Sequence, residues 1–326
     1  MKLRSEILLQ PIDRPIGHDA KIISIGSCFA ERMGDRLAKY KFKCLQNPFG
    51  ILFHPIPMIA PLMAALEEEN PFSGSLFEQE GNWKSLAFHS RMRHTDRDFL
   101  ESMIQNGLIA TKNALESADL LILTFGSAIG FRHLASDTIA GNCHKIPQKE
   151  FKKETSRLNA LRLKLESFLE KLRQVNPQLR VLLTVSPVRH LRSGVVENAG
   201  SKAILRTLSQ ELSEDYDHVH YFPAWELLMD DLRDYRFYES DLAHPTPLAE
   251  DYVWEKFANT WISADARKIN ADLDGIFRDL AHRPFDEKSD AHKSFLKGLH
   301  AKIDSLRGFV DLDLELVELE ERLGLR

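Results

Sequence analysis

One stretch near the start of the chain constrains the fold more than any other. Residues 21–33 read Lys-Ile-Ile-Ser-Ile-Gly-Ser-Cys-Phe-Ala-Glu-Arg-Met. Three isoleucines within five positions predict a buried strand of a parallel sheet. Gly26 permits a sharp turn, and apolar residues then recur at helical spacing at Phe29, Met33 and Leu37. The stretch therefore predicts a strand, a tight turn and a helix.

Ser27 and Cys28 lie at the junction of this strand and helix. Open α/β sheets bind their ligands at the carboxyl ends of the strands. The N–H groups and the dipole at a helix N-terminus favour negative charge there. A hydroxyl and a thiol in this position are both candidate nucleophiles.

The rest of the chain repeats the alternation of strand and helix. Further strands are predicted near residues 42–46, 119–125, 179–185 and 218–222, and a hairpin within 70–95. A long helix is predicted from about Gln148 to Gln174. This order predicts an α/β fold with about five parallel strands and helices on both faces of the sheet.

Three regions follow from the same pass along the chain. Residues 1–20, with two prolines, are predicted to be an irregular arm, and residues 21–262 to form the sheet domain. Residues 263–326 carry no strand pattern and are predicted to be a helical appendage. Its helices are a candidate surface for capping the sheet domain or for forming a homo-oligomer.

Charge and cysteine content narrow the class of protein. A net charge of -5 argues against a broad basic surface for nucleic acid. The three cysteines form no CxxC pair, which favours a reducing compartment. The first residues are too short and interrupted for a secretory signal, and no run reaches the length of a membrane span. We therefore expect a cytoplasmic protein without a membrane span.

A second motif lies after the last predicted strand, where Asp241 and His244 are three positions apart. A carboxylate beside an imidazole fixes its tautomer and stabilises the imidazolium that forms when the ring takes a proton. A DxxH pair alone is a weak signal, because such pairs also arise by chance. Its position after the last strand would bring it to the same sheet edge as Ser27 and Cys28.

Five short motifs follow one another along the chain: Gly26-Ser-Cys-Phe-Ala30, Asn47-Pro-Phe-Gly50, Gly141-Asn-Cys-His144, Ser186-Pro-Val-Arg-His190 and Asp241-x-x-His-Pro245. Together these motifs resemble the GSCFA family, which is similar to the SGNH/GDSL hydrolases. The resemblance covers roughly residues 20–260, with the helical tail, and implies a three-layer α/β/α flavodoxin-like hydrolase fold.

The resemblance also implies site roles. The Gly-Asp-Ser of the hydrolases, laid without a gap, places Cys28 at the nucleophile position, and a shift of one residue places Ser27 there. Asp241 and His244 would serve as the carboxylate and the base. Gly50 matches the second oxyanion donor. Because residues 126–128 lack the Asn of the usual Gly-x-Asn, Asn142 could replace the third donor.

Four polar residues in the loops are candidates for substrate binding, with a local structural role as the alternative for each: Asn47, His89, His144 and Arg189. The His and Asp residues show no spacing typical of a closed metal site. The chain has no Walker loop, and no GxGxxG follows the first strand. We therefore predict no metal and no cofactor.

The leading hypothesis is a hydrolase of ester bonds. The substrate would be a small molecule or glycan that carries a small acyl group, by analogy with SGNH relatives. One alternative is an acyltransferase that uses the same residues with a sugar hydroxyl in place of water. The other is a non-catalytic carbohydrate- or partner-binding module on the same fold.

Overall fold

The computed structural model of the protein describes residues 4–286 and 289–325. Its described residues form two compact units. Unit 1 contains residues 4–8, 21–35 and 44–255, and unit 2 contains residues 9–20, 36–43, 256–286 and 289–325. The predicted division of the sequence at residues 20 and 262 stays a prediction.

The central element is a five-stranded sheet in the order β11-β10-β6-β1-β2. Strands β1, β6, β10 and β11 pair in parallel. The eleven strands of the described residues are β1 Lys21–Gly26, β2 Lys43–Gln46, β3 Leu76–Gln79, β4 Asn82–Ser85, β5 Arg93–His94, β6 Leu120–Phe125, β7 Ile129–His133, β8 Thr138–Ile139, β9 Phe151–Thr155, β10 Arg180–Val185 and β11 Val219–Phe222.

The two middle strands explain why the chain folds this way. All six residues of β6 and all six of β10 are buried, so both faces of the sheet are covered. Parallel strands buried on both faces have nearly continuous apolar sequences, as these do. The predicted α/β fold with five parallel strands is confirmed.

Two small antiparallel sheets lie beside this one. The predicted hairpin within 70–95 is present as β3 and β4, with β5 added. The second sheet, β8-β7-β9, corrects a prediction, because Phe151–Thr155 pairs with Ile129–His133 instead of beginning a helix. The long helix begins at Leu158, where the apolar stripe itself begins.

Helices account for most of the remaining structure. Their bounds are α1 Cys28–Lys39, α2 Pro55–Glu67, α3 Arg97–Ser117, α4 Leu158–Val175, α5 Val195–Asp215, α6 Ala224–Glu226, α7 Pro247–Trp261, α8 Ala264–Ala281, α9 Asp290–Leu306 and α10 Asp313–Leu323. In unit 1, side chains of α2, α3, α4 and α5 form one buried core with one face of the sheet. Among the described helices, none is both long and apolar enough to cross a membrane.

Unit 2 joins the C-terminal helices to two early segments of the chain, and it confirms the predicted C-terminal helical region. The buried ring of His18 bonds Asn270 of α8 through Nε2, over 3.1 Å. Lys41 pairs with Glu315 of α10 over 2.6 Å. Residues predicted as an irregular arm thus contribute to a packed unit, in which Ile16 is buried.

Candidate active site

The carboxyl ends of three neighbouring strands are level with one another. Gly26 of β1 is paired with Thr124 of β6, which is paired with Thr184 of β10. The chain leaves the sheet just after each of these positions. The loops that follow these strands therefore begin at one edge, where α/β sheets form their sites.

The turn after β1 is fixed by close packing and by Asn47. A Cβ atom on Gly26 would lie 2.4 Å from the carbonyl oxygen of Thr124, so only glycine fits. The Gly26 N–H donates to Oδ1 of Asn47 over 2.9 Å, and the Ser27 N–H donates to the Thr124 carbonyl over 3.2 Å. Asn47, predicted to bind substrate, is placed here as a brace for the turn.

The two candidate nucleophiles differ in accessibility. Ser27 is 2% exposed, and its buried Oγ has no hydrogen-bond partner among the described residues. Cys28 is the first residue of α1 and is partly exposed. Burial raises the pKa of the Cys28 thiol, while hydrogen bonds from the Phe29 and Cys28 N–H groups and the nearby Lys202 act in the opposite direction. The thiol is the accessible group of the two.

Asp241 and His244 form the predicted pair. Nδ1 of His244 lies 2.6 Å from Oδ2 of Asp241, and both side chains are about half exposed. Oδ1 of Asp241 accepts the N–H groups of Ala243 and His244 over 2.9 and 3.0 Å. These bonds, the His244 N–H first, hold the pKa of the Asp241 carboxyl well below its usual range. The ring is therefore oriented by an ionised carboxylate.

Two further buried groups lie beside Gly126 at this edge: Lys202, which was not predicted as a site residue, and His190, which was predicted with Arg189 as a candidate for binding an anionic substrate group. Lys202 of α5 is fully buried and donates to the carbonyls of Gly126 and Ser186 over 2.7 and 2.6 Å. Burial lowers the pKa of Lys202 to about 7, against the charge of Cys28, which raises it. Burial, with smaller contributions from Lys202 and His244, lowers the pKa of His190 to about 4.

A sequence signal for Lys202 did exist. Lys202 lies on the same helical stripe as three buried leucines of α5, where a charged residue is unusual. Lysine is almost never fully buried without a partner. A lysine at such a position marks a polar site beneath it.

The two loop residues predicted as oxyanion donors use their N–H groups elsewhere. The Gly50 N–H donates to the Asn47 carbonyl over 2.8 Å, within a turn. The Asn142 N–H donates to the Leu86 carbonyl over 3.3 Å, and its Oδ1 accepts the His144 N–H over 2.8 Å. Their oxyanion roles stay predictions. The first N–H groups of α1, which have no intrahelical acceptor, are further donors beside Cys28.

His89 and His144 lie in neighbouring loops. His89 is half-buried, and a Cβ on Gly50 would lie 2.5 Å from its side chain. The next loop residue but one, Arg91, is paired with Glu31 on the first turn of α1. His144 is buried and bonds the Ser85 carbonyl through Nε2 over 2.8 Å, which fixes its own loop.

Arg189 supports the loop that carries the DxxH pair. Its N–H donates to the Ala243 carbonyl over 3.0 Å, and its Nη1 donates to the Leu242 carbonyl over 3.2 Å. Its guanidinium also lies 5.5 Å from the ring centre of Tyr238. Arg189 thus fixes the backbone between Asp241 and His244.

A metal site was not predicted, and the described part of the chain offers no group of three or more His, Cys, Asp or Glu that could hold an ion. The chemistry available at this sheet edge is that of a thiol, an imidazole–carboxylate pair, a buried amine and backbone N–H groups. Such groups can bind an anionic oxygen, take a proton from a nucleophile and accept an acyl group on sulfur.

Two family models match the chain. The model described as the GSCFA family matches residues 21–257, and the one described as the GSCFA domain protein, C-terminal domain, matches residues 273–324. No curated protein matches it significantly. Since the first model covers more than half of the 326 residues, the resemblance seen in the five motifs is confirmed. The chain belongs to the GSCFA family.

Proposed function

We propose that this protein hydrolyses ester bonds through a thioester on Cys28. The observation that carries the proposal is the His244–Asp241 pair, joined over 2.6 Å, together with the partly exposed Cys28 thiol at the first residue of α1. A nucleophile, a base and a carboxylate that orients the base are the minimum set for acyl transfer through a covalent intermediate.

The first half of the reaction forms the acyl-enzyme. His244 takes the proton of the Cys28 thiol, and the thiolate sulfur attacks the ester carbonyl carbon. The carbon–oxygen bond to the alcohol then breaks, and the imidazolium gives its proton to the leaving oxygen. Asp241 stabilises the imidazolium throughout, because its carboxylate stays ionised.

The second half releases the acyl group. His244 takes a proton from water, whose oxygen attacks the thioester carbonyl, and the sulfur leaves as the thiolate. N–H groups at the start of α1 would stabilise the oxyanion formed in each half. Removing one such donor in other enzymes costs about two to three orders of magnitude in rate.

The substrate class proposed is a small acyl group on a carbohydrate, on the strength of the SGNH resemblance. Acyltransfer is the same first half followed by attack of a sugar hydroxyl instead of water. The three cysteines are free thiols, which supports the proposal of a reducing, cytoplasmic compartment.

The test is turnover of p-nitrophenyl acetate, with intact mass measured after iodoacetamide and, separately, after a fluorophosphonate. We expect Cys28→Ala and His244→Ala each to lose at least about a hundredfold in kcat/KM. Cys143→Ala is the matched control for loss of a thiol and should keep wild-type activity, as should Ser27→Ala.

Loss of activity in Ser27→Ala with retention in Cys28→Ala would make the serine the nucleophile. If none of these substitutions changes turnover, and neither iodoacetamide nor the fluorophosphonate labels the site, the result would contradict the esterase proposal and favour the non-catalytic binding module.

A further inference from the structure

Lys202 is a buried lysine that forms no ion pair with a carboxylate among the described residues. Its side chain has no solvent exposure, and it lies on α5 in line with Leu205 and Leu208, which are also fully buried. No carboxylate forms an ion pair with it in the parts of the chain that the structure describes, 4–286 and 289–325. An ammonium in such surroundings is costly, so its position calls for an explanation.

The amine is held by two backbone carbonyls at the site edge of the sheet. Nζ donates to Gly126, just after β6, over 2.7 Å and to Ser186, just after β10, over 2.6 Å. A neutral amine and an ammonium can both make these two bonds. The bonds therefore fix the position of the nitrogen and leave its charge free to vary.

The titratable groups that face Lys202 come from two other elements. Cys28 at the start of α1 raises the proton affinity of Lys202 when it carries charge, and Lys202 in turn favours the Cys28 thiolate. Burial first, and then Lys202 and His244, lower the pKa of His190, which follows β10. Glu31, one turn along α1, acts against the thiolate. The amine and the thiol lie at the ends of neighbouring strands: Gly126, whose carbonyl accepts from Nζ, comes two residues after Thr124, and Cys28 comes two residues after Gly26, which is paired with Thr124. Burial raises the pKa of the Cys28 thiol, and a charged Lys202 acts in the opposite direction.

We propose that Lys202 is a positioning residue for Cys28, a buried amine that carries its charge when the thiol has lost its own and so stabilises the thiolate. In the fraction of molecules that form this ion pair, the amine holds the proton that the thiol has lost; in the rest, the thiol keeps its proton until His244 takes it during acyl transfer. The use of that thiolate in ester cleavage rests on the proposed function, but the pairing of the two groups can be measured without any substrate.

The pairing has a signature in the pH dependence of Cys28. The pair of Cys28 and Lys202 can exist as a neutral thiol with a neutral amine, or as a thiolate with an ammonium. These two states contain the same number of protons, so the ratio of their populations does not change with pH. Below the pH at which Lys202 titrates, the thiolate fraction rises tenfold per pH unit. Above it, the fraction stays constant until the thiol itself loses its proton.

The experiment is the rate of Cys28 alkylation by iodoacetamide from pH 5 to 10, followed by peptide mass spectrometry. We expect the rate to rise to about pH 7, where Lys202 titrates, and then to reach a plateau. In Lys202→Met the plateau should vanish, and the rate at pH 7 should fall at least about tenfold.

Two controls separate charge from packing. Cys143 reports on the same molecule and should keep its profile in Lys202→Met. Ser209→Ala removes another buried polar group of α5, whose Oγ donates to the Leu205 carbonyl, and should keep the plateau. A single rise without a plateau in the wild type, or a change of Cys143 equal to that of Cys28, would overturn the proposal.

A second measurement leaves Lys202 in place. Cys28→Asp sets a permanent carboxylate where the thiolate would form, and Cys28→Asn is its neutral counterpart. The ¹³Cε resonance of Lys202 should titrate at least about one pH unit higher in the Asp variant. Equal midpoints would refute the pairing.

The outcomes keep the two proposals apart. A plateau without ester turnover would leave the pairing standing and refute the esterase. Turnover that depends on Cys28 and His244, without a plateau, would leave the esterase standing and refute the role of Lys202.

Discussion

At the scale of single residues, the site depends on a backbone conformation that few side chains allow. Asn47 has φ 40°, in the left-handed region that asparagine tolerates better than most residues. In this conformation its side chain accepts the Gly26 N–H and its carbonyl accepts the Gly50 N–H. One residue thereby ties the loop after β2 to the turn that presents Cys28.

The fit of Gly26 against β6 gives a first prediction. Gly26→Ala should destabilise the protein by about 1–3 kcal/mol, because the new methyl group meets the Thr124 backbone at 2.4 Å. Gly200→Ala is the matched control: a Cβ at this position on α5 would meet no atom within 4 Å beyond its own helix backbone, and the substitution should stabilise by up to about 1 kcal/mol. Urea unfolding measures both, and an unchanged midpoint for Gly26→Ala would contradict the packing.

Sequence reasoning found part of the site. The junction after β1 and the Asp241–His244 pair were predictable, because each is local and carries its own pattern. The hydrogen bond of the Gly50 N–H could not be predicted, because it depends on the turn that Asn47 forms. Lys202 was not among the predicted site residues because a lysine in a helix usually faces solvent. Only the tertiary structure places its amine on the Gly126 and Ser186 carbonyls at the site edge of the sheet.

At the scale of elements, buried strands were easier to predict than exposed ones. Strands β1, β6 and β10 of the parallel sheet have the nearly continuous apolar sequences that a sheet covered on both faces requires. Phe151–Thr155 contains two lysines and a glutamate and reads as the start of the following helix. It is a strand because Ile129–His133 offers it a pairing edge, which the local sequence does not encode.

The last helix, α10, gives a prediction at this scale. Leu319 is fully buried in unit 2, whereas Leu314, on the same helix, is 79% exposed. Leu319→Ala should cost about 2–5 kcal/mol in the free energy of unfolding, and Leu314→Ala less than about 0.5 kcal/mol. Thermal unfolding followed by circular dichroism compares the two. Equal losses would mean that α10 is not packed through Leu319.

At the scale of the whole molecule, buried imidazoles set its response to acid. His54 caps α2 by accepting the Ile56 N–H over 3.2 Å, and its Nε2 lies 3.1 Å from Ser156 Oγ. Burial lowers the pKa of His54 to about 4, from an ordinary value of 6.5. Between these values the unfolded chain holds the proton and the folded chain does not. The stability that the neutral His54 ring contributes is therefore fully present above pH 6.5 and is lost as the pH falls to about 4.

Replacement of this ring tests the response. His54→Asn keeps a capping acceptor but cannot titrate, so the stability lost between pH 6.5 and 4 should shrink by up to about 3 kcal/mol relative to wild type. Urea unfolding at a series of pH values measures the difference, and the pH 7.5 values give the cost of the substitution itself. Parallel curves for the two proteins would show that His54 does not contribute.

The composition of unit 2 has a consequence for how the protein is made. Residues 9–20 and 36–43 leave the ribosome more than two hundred residues before the segment beginning at 256 with which they pack. At 5–20 residues per second, that delay is roughly 10–40 s. Ile16 and Phe42 are both buried in the finished protein, and Ile16 bonds the backbone of Trp261 and Ser263, which are not yet made during this interval. Synthesis that stalls before residue 256 would leave them as ready targets for a chaperone.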